Sequence, residues 1–166
     1  CRSTFDGQTS NQNILFSYSA PSVTTITPPN YPSVGGVNIQ IAGSSFGTFG
    51  TCTVGGQTCL FVSWTHNLIT CTLPAGVNLA SPVVVTVGGQ TNAATTFRYD
   101  APVVTSLTPL GAMSGAGVYL TLTGTSFGTA ATGAVKVNGL DCTFTSAQYG
   151  TSGHTRTLCA LPVGSG

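Results

Sequence analysis

The chain contains an internal repeat, and this repeat constrains the fold more than any other feature of the sequence. Residues 21–28, which read PSVTTITP, recur at 102–109 as PVVTSLTP. Residues 37–47, which read VNIQIAGSSFG, recur at 118–128 as VYLTLTGTSFG, again at an offset of 81 residues. Self-similarity at a fixed period predicts two copies of one folded unit.

A third similarity places the boundaries of the repeat. The segment GGQT at 88–91 and FRYDAP at 97–102 resemble GQT at 7–9 and FSYSAP at 16–21. Residues 1–20 therefore correspond to the final hairpin strands of a preceding repeat. Residues 21–101 form a complete domain, and residues 102–166 form a domain that lacks its last strands.

Short segments of alternating apolar and polar residues, separated by Gly, Pro and Asn, predict β-strands. In the first repeat the predicted strands are 22–27, 37–42, 51–54, 59–65, 68–73, 83–87 and 95–99. Short strands separated by turns at this spacing are typical of a β-sandwich. The predicted fold class is therefore all-β.

The near absence of charge excludes several classes of protein. Only 4% of the 166 residues are charged and the formal net charge is +1, which is incompatible with the basic surface of a nucleic-acid-binding protein. No apolar run approaches the ~20 residues of a membrane helix, so we expect no membrane span in this segment. The first residue is not Met, and we expect the chain to be a mature or excised portion of a longer protein.

We assign no catalytic residue, metal ligand or cofactor. His66 and His154 stand apart from each other and from any regular ligand spacing. The three Asp residues are scattered at turns or junctions, whereas calcium needs several converging oxygens. The nucleophile motif Gly-x-Ser-x-Gly is absent. We therefore expect that the protein is not an enzyme.

The order of the motifs resembles a known family. Each repeat begins with Pro-x-Val-x-x-Ile/Leu-x-Pro, continues through Gly-x-x-Phe-Gly and Cys, and reaches Cys-x-Leu-Pro, and the first repeat ends with Phe-x-Tyr. This order resembles the IPT/TIG domain, the immunoglobulin-like module shared by plexins and transcription factors. The resemblance covers nearly the whole chain. It implies tandem immunoglobulin-like sandwiches, the last without its final hairpin, that serve as non-catalytic spacers or adhesive units.

The cysteine positions predict one disulfide in each repeat. Cys59 and Cys71 lie in predicted strands that flank the turn at 66–67, and Cys142 and Cys159 hold the same places in the second repeat. Each bridge is worth about 3 kcal/mol in the chain-entropy model. Disulfides also predict an oxidising compartment, so we expect a secreted or extracellular protein.

The other two cysteines, Cys1 and Cys52, have no counterpart in the other repeat. The predicted strand directions bring both of them toward the junction around residues 19–21. We therefore predict an inter-domain bridge between Cys1 and Cys52. The alternative is that both are unpaired or paired differently.

The missing hairpin predicts self-assembly. A sandwich without its last strands exposes unpaired edges and half of a core, and residues 1–20 of another copy can complete it. This happens within one continuous tandem polypeptide, or between subunits by strand addition, and both arrangements give a linear fibre of identical copies. The expected assembly strands contain Thr4, Phe5, Ile14, Leu15, Phe16 and Tyr18.

The predicted function is that of a structural repeat unit in an extracellular filament or rigid cell-surface stalk. The alternatives are a receptor or adhesion ectodomain that binds a protein or glycan, and a carbohydrate-binding appendage of an extracellular enzyme. The sequence has no Asn-x-Ser/Thr sequon. O-linked sugars on the segment that contains Thr24, Thr25, Pro28 and Pro29 are a further expected partner, unless Thr is there only because it suits strands.

Overall fold

Two-residue turns at 55–56, 88–89 and 138–139 each connect two antiparallel strands. Both residues of each turn adopt positive φ. Gly and Asn tolerate this conformation, which matches the twist of a β-hairpin. The computed structural model describes residues 4–9, 17–111, 118–128, 134–143 and 154–161. These residues form strands, turns and loops without a helix, so none of them lies in a helix that could cross a membrane.

The N-terminal strands form a separate hairpin, β1 (Thr4–Phe5) and β2 (Gln8–Thr9). The first sandwich follows. One of its sheets contains, in spatial order, β3 (Ser22–Thr27), β5 (Asn38–Ser44), β9 (Leu68–Thr72) and β8 (Leu60–Trp64). The other contains β4 (Asn30–Tyr31), β12 (Thr95–Tyr99), β10 (Ser81–Val87), β6 (Thr51–Val54) and β7 (Gln57–Thr58), with β11 (Gln90–Thr91) paired to β10.

The core of the first sandwich lies between these two sheets. Alternate residues of β5 and β10 are buried, as the period of two in a strand requires. Ile39 and Ile41 from one sheet meet Val85 and Phe97 from the other in a single buried cluster. The inward-facing residues of both sheets therefore close this core.

The second sandwich repeats part of this arrangement. One sheet contains β13 (Val103–Thr108), β14 (Tyr119–Thr125) and β17 (Arg156–Ala160), and a hairpin is formed by β15 (Val135–Val137) and β16 (Leu140–Cys142). The β13–β14 pair has a register shift between Val104 and Ser106, which mirrors the shift between Val23 and Thr25 in β3–β5. The two repeats therefore share one immunoglobulin-like sandwich fold, and the described residues of the second repeat contain no counterpart of β10, β11 or β12.

One glycine in each repeat is required by a close approach of two strands. A Cβ atom at Gly43 would lie 1.9 Å from the Ser22 carbonyl oxygen, and one at Gly124 would lie 1.9 Å from the Val103 carbonyl oxygen. The next aromatic residue, Phe46, is fully buried beside this contact. It closes the end of the sandwich at which the chain enters, here called the proximal end; the opposite end is called distal.

Candidate assembly site

The second sandwich has an uncovered core face. Val104 and Leu107 on β13 are 49% and 40% exposed. Their counterparts in the first sandwich, Val23 and Ile26, pack against the buried core. In the first sandwich β10 and β12 line that core, whereas no corresponding strands occur among the described residues of 102–161. Covering each of these side chains would contribute up to about 1.5–3 kcal/mol.

The N-terminal hairpin has the geometry of a missing strand pair. Thr4 pairs with Thr9 and Phe5 with Gln8, in the same register as Thr86 with Thr91 and Val87 with Gln90 in β10–β11. The turn residues 6 and 7 have φ of 47° and 77°, close to the 57° and 81° of residues 88 and 89. The hairpin therefore matches the hairpin that closes the first sandwich.

Among the residues predicted for the second assembly strand, Tyr18 is the one that the structure describes. Its counterpart Tyr99 is 1% exposed, whereas Tyr18 is 79% exposed. The Tyr99 hydroxyl donates to the Pro74 carbonyl oxygen at 2.7 Å, and burial raises the pKa of Tyr99 to about 12. Tyr99 therefore ties the last strand to the distal end of its sandwich while the phenol stays protonated. The predicted assembly residues Ile14, Leu15 and Phe16 lie outside the described residues.

A polar joint connects the two sandwiches, and the sequence did not predict it. Ser33 lies in the loop between β4 and β5 at the distal end of the first sandwich and is fully buried. Its backbone N–H donates to Ser126 Oγ at 3.4 Å, and its Oγ lies 2.8 Å from His154 Nδ1. The Gly128 N–H donates to Ser33 Oγ at 3.3 Å. One serine of the first sandwich thus contacts three residues at the proximal end of the second.

The two sandwiches are also in close van der Waals contact at the joint. A Cβ atom at Gly128 would lie 2.4 Å from Val77 Cγ1, which belongs to the distal end of the first sandwich. Burial at the joint lowers the pKa of His154 from its ordinary value of 6.5. The neutral imidazole is therefore favoured next to the Ser33 hydroxyl.

Both predicted intra-domain disulfides are present. Cys59 and Cys71 are bonded with Cα atoms 5.6 Å apart, and Cys142 and Cys159 are bonded with Cα atoms 5.4 Å apart. In the first sandwich the bridge joins Cys59, between β7 and β8, to β9, and in the second it joins the last residue of β16 to β17. The bridge is buried in both cases.

Cys52 lies in the core of the first sandwich. Its thiol is buried in the first core, and the sulfur atoms of Cys52, Cys59 and Cys71 lie within 4.8 Å of one another. Two of these three sulfurs are used by the disulfide, so only the Cys52 thiol could bind a metal. Burial raises the pKa of Cys52 to about 11. Because Cys1 lies outside the described residues, its pairing stays a prediction.

Among the residues that the structure describes, no three His, Asp or Glu side chains lie close enough together to hold a metal ion. Asp6 lies in the β1–β2 turn, Asp100 accepts a hydrogen bond from the Asn30 side chain, and Asp141 forms an exposed ion pair with Lys136 at 2.6 Å. His66 is exposed at the proximal end of the first sandwich.

The predicted O-glycan segment lies on and just after edge strand β3. The Thr24 hydroxyl donates to the Ala42 carbonyl oxygen at 3.0 Å, which occupies its proton. Thr25 and Pro29 are exposed and Pro28 is half-buried. Thr25 is therefore the more accessible of the two hydroxyls, and its glycosylation stays a prediction.

Comparisons with known proteins identify the repeat. The family model of the IPT/TIG domain matches residues 21–99 and 102–166. The extracellular region of plexin A4 is 17% identical over 93% of this chain and 13% of that one, with a TM-score of 0.47. The gamma-CGTase from Alkalophilic bacillus clarkii is 26% identical over 55% of this chain and 13% of that one, with a TM-score of 0.44.

A third similar structure is SGBP-B from a xyloglucan utilization locus in Bacteroides uniformis. It is 17% identical over 87% of this chain and 43% of that one, with a TM-score of 0.36. The chain thus spans less than half of each of these three structures. The search among curated proteins gave no match.

Proposed function

Because this chain belongs to the IPT/TIG domain family, we propose that it is a non-enzymatic structural protein, the repeat unit of an extracellular filament or rigid surface stalk. Residues 1–20 of one unit complete the sandwich that begins at residue 102 in its neighbour. The unit then continues into its own complete sandwich, residues 21–101. Sandwiches formed by one unit therefore alternate along a line with sandwiches completed by the hairpin of a neighbour. The two disulfides support an oxidising, extracellular setting.

The observation that carries this proposal is the match between an open sandwich and a spare hairpin in one chain. Val104 and Leu107 are exposed, whereas in the first sandwich β10 and β12 line the core against which their counterparts pack. The β1–β2 hairpin has the register of β10–β11. Because the two complementary surfaces differ, the contact is heterologous and builds an open polymer.

A labelled peptide of residues 1–20 tests the completion step directly. We expect it to bind the full chain, and we expect excess peptide to block association between chains, measured by fluorescence anisotropy and light scattering. A peptide with Phe16→Ser should lose most of its affinity, because the corresponding Phe97 is 1% exposed in the first core. The matched control is Ser17→Ala, because its counterpart Arg98 is exposed. Equal binding by both variants would contradict the proposal.

Mass spectrometry of reduced native material separates the two forms of this assembly. Trypsin cuts after Arg156 and Arg2. One peptide that runs from Thr157 through Gly166 into Cys1 and Arg2 would show a continuous tandem chain. A peptide that ends at Gly166, found with a free Cys1 amino group, would show separate subunits joined by donated strands. Isolated short rods in electron micrographs of native material would instead favour a receptor or adhesion ectodomain.

A further inference from the structure

The proximal end of the first sandwich reproduces the surface that the second sandwich uses at the joint. At an offset of 81 residues, Ser45 and Gly47 correspond to Ser126 and Gly128. His66 lies two residues before β9, as His154 lies two residues before β17. Ser45 and Ser126 both have φ of 61°, and both Gly residues have positive φ. The Phe46 N–H donates to the His66 carbonyl oxygen at 3.0 Å, as the Phe127 N–H does to that of His154.

The two copies of this surface differ in exposure. At the joint Ser126 and Gly128 are buried and His154 is half-buried, because the distal end of the first sandwich covers them. On the first sandwich Ser45 and Gly47 are half-buried and His66 is exposed. The same loop shape and residue types are therefore covered by a neighbouring sandwich in the second repeat and are not covered in the first.

We infer that the Ser45, Gly47 and His66 surface is a docking site for the distal end of the second sandwich of another copy of this chain. The occupant follows from the joint, where Ser33 supplies the groups that the Ser-Gly-His surface binds. At the repeat offset of 81 residues, the counterpart of Ser33 is Ser114, which lies outside the described residues. Every joint along the polymer then has the same chemistry, within a chain and between chains.

This inference rests on the proposed function but adds a second contact to it. Residues 17–20 are exposed and lead directly into β3, at the proximal end of the first sandwich. When residues 1–20 enter the neighbour's sandwich, this short connection brings the two sandwiches end to end. The docking surface fixes their orientation, whereas the hairpin supplies the missing core.

The test compares the same two substitutions at the two copies of the surface. Ser45→Gly with His66→Ala removes the polar groups of the outer surface, and Gly suits the positive φ at this position. We expect association between full chains to weaken on the order of tenfold, as for the loss of one to two hydrogen bonds. Ser126→Gly with His154→Ala alters only the internal joint, so its association constant should stay near that of the unchanged chain.

Binding of the labelled 1–20 peptide separates this inference from the proposed function. The peptide contains no part of the first sandwich, so it should bind the Ser45→Gly, His66→Ala chain as tightly as the unchanged chain. Peptide binding with undiminished association would overturn the docking site and leave strand completion standing. Absence of both peptide binding and association would overturn the proposed function itself.

A single substitution keeps the result independent of folding. His66 is exposed, so His66→Ala should leave the thermal unfolding midpoint unchanged while still weakening association. Gln40→Ala, at an exposed position in the middle of β5, is the control for a general effect of removing a surface side chain. Equal weakening by His66→Ala and Gln40→Ala would overturn the inference.

Discussion

At the scale of single residues, comparison with the second repeat explains why a cysteine is buried at position 52. Cys52 and Val54 lie seven and five residues before Cys59, and Val135 and Val137 precede Cys142 by the same seven and five residues. Val135 pairs with Cys142 in β15–β16 and packs against the second core. Cys52 therefore takes the place of a core valine and behaves as a small apolar residue.

The Cys52 thiol is accordingly expected to be unreactive in the folded chain. It is 2% exposed and burial raises its pKa to about 11, so little thiolate forms at neutral pH. An alkylating reagent should label it only after denaturation, as read by mass spectrometry. Cys52→Ala should lower the free energy of unfolding by about 1–2 kcal/mol through the lost packing, whereas Cys52→Val should cost less. Rapid labelling of the folded chain at Cys52 would contradict this role.

At the scale of strands, much of the first sandwich could be predicted from the sequence because alternation and turn chemistry are local. All seven predicted strands are present, and β3, β6 and β12 have the predicted bounds. The two-residue strands β4, β7 and β11 were missed, since so short a segment carries no periodicity. The alternation of 51–54 was also the available signal that Cys52 faces the core.

The pairing of β3 with β5 depends on Gly43. A Cβ atom there would lie 1.9 Å from the Ser22 carbonyl oxygen and 2.5 Å from the Phe46 ring, so the strands would have to separate. We expect Gly43→Ala to lower the free energy of unfolding by more than about 2 kcal/mol, measured by urea denaturation. Gly111→Ala is the control, because a Cβ atom there meets nothing within 4 Å. Similar losses in both variants would show that the close approach is not the cause.

At the scale of the whole molecule, the joint between sandwiches could not be predicted from the sequence. Ser33 and His154 are separated by 121 residues, and their contact depends on how two folded units are oriented. Neither residue belongs to a local motif. The repeat nevertheless contained a usable signal, because both units have Ser-x-Gly at the proximal end and a His two residues before β9 or β17.

The joint predicts a pH dependence of stability. Burial lowers the pKa of His154 below 6.5, so the unfolded chain takes up this proton at a higher pH than the folded chain does. The contribution of His154 is therefore complete above about pH 6.5 and is lost as the pH falls through the lowered pKa. Thermal unfolding midpoints from pH 8 to pH 5 should fall less in His154→Gln than in the unchanged chain. An identical pH profile for the two chains would contradict this assignment.

The positions of the two disulfides also determine how far each sandwich can be stretched. Tension along a line of such units enters the first sandwich at β3 and leaves at β12, and neither strand carries a bridged cysteine. The bridge encloses a separation of 12 residues in the first sandwich and 17 in the second. At about 3.4 Å per extended residue, roughly 4 and 6 nm of contour stay locked after rupture. The bridges thus limit how far each sandwich can extend, although they do not lie on the strands through which tension enters and leaves the first sandwich.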